Sequence, residues 1–157
     1  MPIPAYMFID GIPGSVTVAG REGSVEVLAL DHSVDVPIDV KDATATGTRR
    51  HNSLVITKVI DQASPLLQEC VCRSKTIPKA EIKFYKIDDS GTEIHYYSIT
   101  IEKLRAVVGK TELPNVAYPE NALVDVREKW AFRYEKITWL YVDGSFEFSD
   151  EWKLPRV

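Results

Sequence analysis

Apolar and polar residues alternate with a period of two along most of this chain, the mark of half-buried strands. Val34, Val36, Ile38 and Val40 alternate with Asp35, Pro37, Asp39 and Lys41, which predicts one apolar and one polar face. Residues 6–9 read as a first strand, stopped by Asp10-Gly11-Ile12-Pro13-Gly14. Val16 and Val18 predict a short second strand, residues 25–30 a third, and the β-branched run 54–60 another. Residues 80–87 and 92–108 flank Asp89-Ser90-Gly91, a hairpin-loop signal, and a last long strand is expected over residues 126–142.

The apolar parity does not hold from end to end. Trp130, Phe132 and Tyr134 share one face, whereas Ile137, Trp139 and Tyr141 fall on the other. Within residues 92–108 the set passes from Ile94 and Tyr96 to Tyr97, Ile99 and Ile101, then to Leu104, Ala106 and Val108. Such switches mark bulges and bends, where a strand leaves one sheet for another or wraps a barrel. The pattern therefore predicts a mainly β fold, a closed or nearly closed antiparallel β-barrel of two curved sheets.

One segment has helical spacing. Ser64 is placed to act as N-cap, Pro65 suits the first helical position, and Leu66, Leu67, Cys70 and Val71 lie on one face. Arg73 and Lys75 favour the C-terminal end. A helix this short needs a surface to dock on, so it is expected to flank the barrel. On it, Cys70 and Cys72 would point about 200° apart, which predicts two free thiols rather than a mutual disulfide.

The 157 residues suit one domain, with residues 143–157 as a tail or added strand. Hydrophobic residues at 45% and charged residues at 27% are a globular balance, and the net charge of -4 gives no drive toward nucleic acid or anionic membranes. No apolar run approaches a membrane span, so no membrane insertion is expected. Residues 1–6 carry no Sec-type signal features.

Catalytic chemistry is sparse. His32, His51 and His95 are scattered, and adjacent Asp31 and His32 would point to opposite faces of a strand end, which reads as solvated. Asp88-Asp89 reads as turn chemistry, and the turn at residues 11–14 lacks the helix and the Lys-Ser/Thr of a phosphate-binding loop. No serine lies in a nucleophile elbow and no metal-ligand spacing occurs, so no catalytic, cofactor or metal residue is assigned. Lys129, Arg133 and Lys136 interleave with the aromatics from Trp130 to Tyr141, but Glu128 and Glu135 nearly cancel them and the parity is that of a core. Residues 41–50 are small and polar and predict a long loop; a second loop is expected over residues 109–123.

The ordered series of segments resembles the Hcp family, the hemolysin-coregulated proteins of the type VI secretion inner tube. The resemblance is carried by residues 8–14, residues 25–30, Lys58-Val59-Ile60-Asp61-Gln62-Ala63-Ser64-Pro65 with Leu66-Leu67, the hairpin 80–104 and residues 132–141. It implies a barrel with a flanking helix and an extended loop, close to phage tail-tube proteins. Six subunits would form a ring, and stacked rings a tube that carries effectors through its lumen. The implied partners are further copies of the chain, the spike protein, sheath and baseplate components, and effector cargo. The implied localisation is cytoplasmic before firing and extracellular or in a target cell afterwards. No enzymatic activity is implied, and the stretch after Tyr141 is too short for a fused toxin domain.

By position, Lys41, Asp42, Thr44, Thr46, Thr48, Arg49 and Arg50 correspond to the extended loop that packs on a neighbouring subunit or ring, and their net charge of +2 suits acidic partners. Asp31 and His32 are the lumen-facing candidates that the resemblance implies. In the acidic tail, Phe146 and Phe148 suit an added strand, with Trp152 and Leu154 as anchors. The other readings are a lipocalin-type ligand barrel and a barrel-fold hydrolase or isomerase; the first is poorly served by polar alternation and the second lacks a catalytic constellation.

Overall fold

The structure, a computed structural model, describes residues 3–152. Its strands in chain order are β1 (Ala5–Ile9), β2 (Val25–Val27), β3 (Ala29–Asp31), β4 (Val34–Asp35), β5 (Arg50–His51) and β6 (Leu54–Val59). After helix α1 (Ser64–Cys72) come β7 (Ile77–Ile87), β8 (Glu93–Glu112), β9 (Arg127–Arg133), β10 (Lys136–Tyr141) and β11 (Phe146–Glu151). All pairings among these strands are antiparallel. One curved sheet comprises β2, β1, β7, the first half of β8, β10 and β11; the other comprises the second half of β8, β9, β6 and β3.

Three chain segments pass from one sheet to the other, and the parity switches mark two of them. The predicted strand over residues 126–142 is two strands, β9 and β10, bent at Tyr134 and Glu135. The long strand β8 crosses at Lys103, whose φ of 51° interrupts the pleat between Ile101 and Leu104. Residues 25–30 form β2 and β3, which part at Leu28 to pair with β1 and β6 respectively. The two ends of the strand order are thus joined by chain rather than by a ladder, and the barrel is nearly closed.

Bulges account for the remaining switches. Phe84 pairs with Tyr97 and Tyr85 with His95, so Tyr96 is the extra residue that turns the apolar set over. A second bulge at Val107, between Ala106 opposite Phe132 and Val108 opposite Ala131, was not foreseen. It turns Val108 outward, away from Leu104 and Ala106.

Other expectations need correction. Val16 and Val18 form no strand; their segment is a loop tied by Gly14 N–H to the Gly23 carbonyl (2.8 Å) and Gly23 N–H to the Val16 carbonyl (3.0 Å). Arg21 pins this loop, with its guanidinium 3.7 Å from the Tyr85 ring centroid and 2.7 Å from Glu93. The alternating run 34–40 forms a ladder at Val34 and Asp35 and one isolated bridge at Ile38, and its apolar residues Val34, Ile38 and Val40 are exposed. Helix α1 carries Pro65 in its first turn as expected, but its N-cap is Ala63, one residue before Ser64.

The barrel interior is filled. Met7, Leu54, Ile56, Ile82, Ile101, Leu104, Trp130, Phe132 and Ile137 are fully buried and form its core. The helix docks on this body through Leu67 and Cys70, while Cys72 stays exposed; both thiols are free.

Candidate functional site

The predicted long loop is a hairpin arm. Val34 pairs with His51 and Asp35 with Arg50 at its base, and an isolated bridge joins Ile38 to Ala45 further out. The tip is shaped by short polar side chains. Asp39 accepts from Lys41 N–H (2.8 Å), Asp42 accepts from Thr44 N–H (3.0 Å), and Ala43 takes a φ of 58°. Residues 41–48, with Lys41, Asp42, Thr44, Thr46 and Thr48 among them, are all exposed, and Val40 beside them is 95% exposed. Val40 therefore stands outside any core of its own chain.

The two arginines expected to meet acidic groups on a neighbour have acidic partners within the chain. Arg50 pairs with Asp35 across the base of the arm (2.5 Å), and holds that carboxyl below the usual carboxylate range. Arg49 reaches Asp150 on β11 with Nε to Oδ2 at 2.5 Å and Nη2 to Oδ1 at 2.9 Å, a two-point contact, and also donates to the Glu151 carbonyl (2.7 Å). The arm base is therefore fastened to the end strand.

Tyr134 joins the same junction from the bend between β9 and β10. Its hydroxyl lies 2.7 Å from His32 Nε2 and 2.8 Å from His51 Nδ1, and His51 Nε2 lies 2.7 Å from Asp150 Oδ2. Two of the three histidines read as scattered in sequence thus converge, and His32 is not a merely solvated strand end, whereas His95 sits on β8 with Nε2 2.6 Å from Ser98 Oγ. Burial lowers the His32 pKa, the charge of His51 adding to it, and burial pushes the Tyr134 phenol well above its ordinary value. A cavity of about 350 Å³ lies beside the junction, lined by Arg49, Arg50, His51, Asn52, Arg133, Tyr134 and Trp152. Asp31, the other lumen candidate, is exposed on β3.

A second cluster went unseen in the sequence. Lys58 Nζ contacts Glu128 Oε1 (2.6 Å), Asp61 Oδ1 (2.9 Å) and Ser64 Oγ (3.0 Å), and Ser64 also donates to Glu128 (2.5 Å). Lys58 continues the inward face of Leu54 and Ile56, and Glu128 that of Trp130 and Phe132. A charged residue on the apolar parity of each of two strands was the available signal. The cluster fixes the turn from β6 into α1 and explains physically the residue types at Lys58, Asp61 and Ser64.

Residues 146–151 form the expected added strand, pairing along β10 from Tyr141–Phe146 to Lys136–Glu151. Phe148 stacks on Trp139 with centroids 5.9 Å apart and planes at 13°. Trp152 is half exposed at its end, and Leu154 lies outside the described residues. Of the aromatic series, Trp130, Phe132 and Tyr134 are buried, whereas Trp139 is half-buried and Tyr141 exposed. Among the described residues, no helix is long and apolar enough to cross a membrane, and no group of three or more His, Cys, Asp or Glu is placed to hold a metal ion.

Comparison with known proteins accounts for this architecture. Residues 6–141 match the family model described as "Type VI secretion system effector, Hcp". The chain is 34% identical over 169 residues to the "Major exported protein" of Pseudomonas aeruginosa, covering 99% of this chain and 98% of that one. A doubly substituted Hcp1 protein from E. coli EAEC 042 superposes with a TM-score of 0.82 at 37% identity, covering 97% of this chain and 99% of that one. The secreted protein Hcp3 from Pseudomonas aeruginosa gives a TM-score of 0.75 at 28% identity, with coverage of 96% and 99%. Sequence and overall fold agree, and the chain belongs to the Hcp family of type VI secretion system proteins.

Proposed function

We propose that this chain is a non-enzymatic structural subunit of the type VI secretion inner tube, assembling into six-membered rings that stack and carry effectors through the lumen. The observation that carries the reading is the arm, an ordered hairpin whose tip holds Val40 at 95% exposure and Ile38 at 56%, outside any core of its own chain. A head-to-tail ring gives such a projection an acceptor on every neighbour and closes by rotation, while stacking adds an open axial contact. With Arg49 and Arg50 already paired within the chain, the acceptor is expected to be apolar and hydrogen-bonding rather than chiefly acidic. The filled barrel interior supports this reading over a lipocalin-type ligand barrel, which needs a cavity.

In this reading the lumen is built between subunits, and exposed Asp31 is the better of the two lumen candidates because the His32 ring is engaged by Tyr134. The spike, sheath, baseplate and effector cargo are the partners outside the ring. The chain resides in the cytoplasm before firing and leaves with the tube. Negative-stain images of the purified protein test the assembly: rings with an open centre are expected, and compact particles without one would refute it.

A further inference from the structure

We propose that Asp150, His51, Tyr134 and His32 form a proton-sensitive clasp, which holds the arm base and the end strand on the barrel at neutral pH and loosens when both imidazoles are charged. The geometry allows one arrangement of protons in the neutral state. Asp150 Oδ2 can only accept, so His51 Nε2 carries the proton between them. Neutral His51 then accepts at Nδ1 from the Tyr134 hydroxyl, 2.8 Å away. Tyr134 has a single proton to give, so its oxygen must accept from His32 Nε2, 2.7 Å away. Every donor in the series Asp150–His51–Tyr134–His32 has its acceptor.

A proton on either ring alone is tolerated. With His51 charged, Tyr134 turns its proton toward a neutral His32; with His32 charged, the neutral arrangement persists. With both charged, two N–H groups aim at one phenol oxygen, the phenol proton loses its acceptor, and two cations share one part-buried hydroxyl. Deprotonating Tyr134 would relieve this, but burial holds its pKa well above the ordinary phenol value.

The surrounding charges do not remove the conflict. Asp150 is the carboxylate nearest His51, and Arg49 already takes both of its oxygens. Arg133, whose Nη1 donates to the His51 carbonyl, adds positive charge beside Tyr134, and Arg50 is matched by Asp35. Asp31 favours charge on His32, yet burial and the charge of His51 outweigh it and keep His32 neutral to lower pH than a free imidazole. The groups tied together come from four places: the turn before β4, β5, the bend after β9, and β11. The clasp is a property of one chain and does not depend on ring assembly.

Amide hydrogen exchange by mass spectrometry on the whole 157-residue chain tests it, at about pH 7.5 and at about pH 4.5, well below the ordinary imidazole value, with intrinsic rates corrected. Protection of residues 32–51 and 146–151 is expected to fall about tenfold at the lower pH while β7 and the first half of β8 keep theirs. His32→Gln, whose amide donates to Tyr134 without titrating, should shrink that step to below about twofold. Equal protection of the wild type at both pH values, a loss spread evenly over the chain, or an undiminished step in His32→Gln would overturn the proposal. Should His32→Gln not fold, imidazole nitrogen resonances of the wild type decide instead: both neutral rings are expected as Nε2–H tautomers, and an Nδ1–H tautomer at His32 would overturn it.

Discussion

Lys58 and Glu128 face each other across β6 and β9, with Nζ 2.6 Å from Oε1 and side chains 1% and 3% exposed. A buried pair of this kind makes a poor claim to net stability but a large one when broken. Lys58→Met should lower the unfolding free energy by about 3–5 kcal/mol, because Glu128 and Asp61 would stay buried without their cation. Adding Glu128→Leu should recover part of that loss. Urea denaturation of both single variants and the double variant gives the coupling, and additive losses would contradict it.

Gly109 lies opposite Trp130 in the β8–β9 ladder, and a Cβ on it would fall 2.4 Å from the indole ring. Trp130 is fully buried and has nowhere to retreat. Gly109→Ala should therefore cost at least about 1–3 kcal/mol through overpacking, read as a fall in Tm. Gly91→Ala is the contrast: a Cβ there meets nothing within 4 Å, and only its φ of 81° is strained.

Asp150 and His32 act in different pH windows. The guanidinium of Arg49 holds the Asp150 carboxyl below its ordinary value. Its contribution is present above the unfolded carboxylate pKa and is lost as pH falls through the lower, folded value. His32 has a lowered folded pKa, so its contribution is complete above the ordinary imidazole value and drains away as pH falls below it. Thermal melts across pH should show both limbs in the wild type. Asp150→Asn should lower Tm by several degrees at neutral pH, with the two proteins converging only as pH falls through that lowered, folded value.

The arm predicts a separation of folding from assembly. Val40→Asp should leave Tm within a degree or two, since the side chain is 95% exposed in the chain alone. The same substitution should shift the protein from rings toward smaller species on a sizing column. Unchanged ring content would remove the arm from the interface.

The strands were legible in sequence wherever a single face is buried. The breaks in parity at residues 96–97, 101–104 and 134–137 correspond to a bulge, a positive φ and a bend. Val34, Ile38 and Val40 misled because alternation reports which positions share a face, not that a core of the same chain lies against it. Val16 and Val18 misled for lack of a partner strand: the loop around them is held by Gly14, Gly23 and Arg21. His32, His51 and Asp150 lie up to 118 positions apart in a chain of 157 residues, and only the fold brings them to Tyr134.

Absolute mass in solution, by light scattering on the purified chain, tests the central claim most directly. Six copies of a 17.7 kDa chain weigh about 106 kDa, and that mass, steady over a range of concentrations, is what a closed ring predicts. A 17.7 kDa species that persists at high concentration would contradict the account.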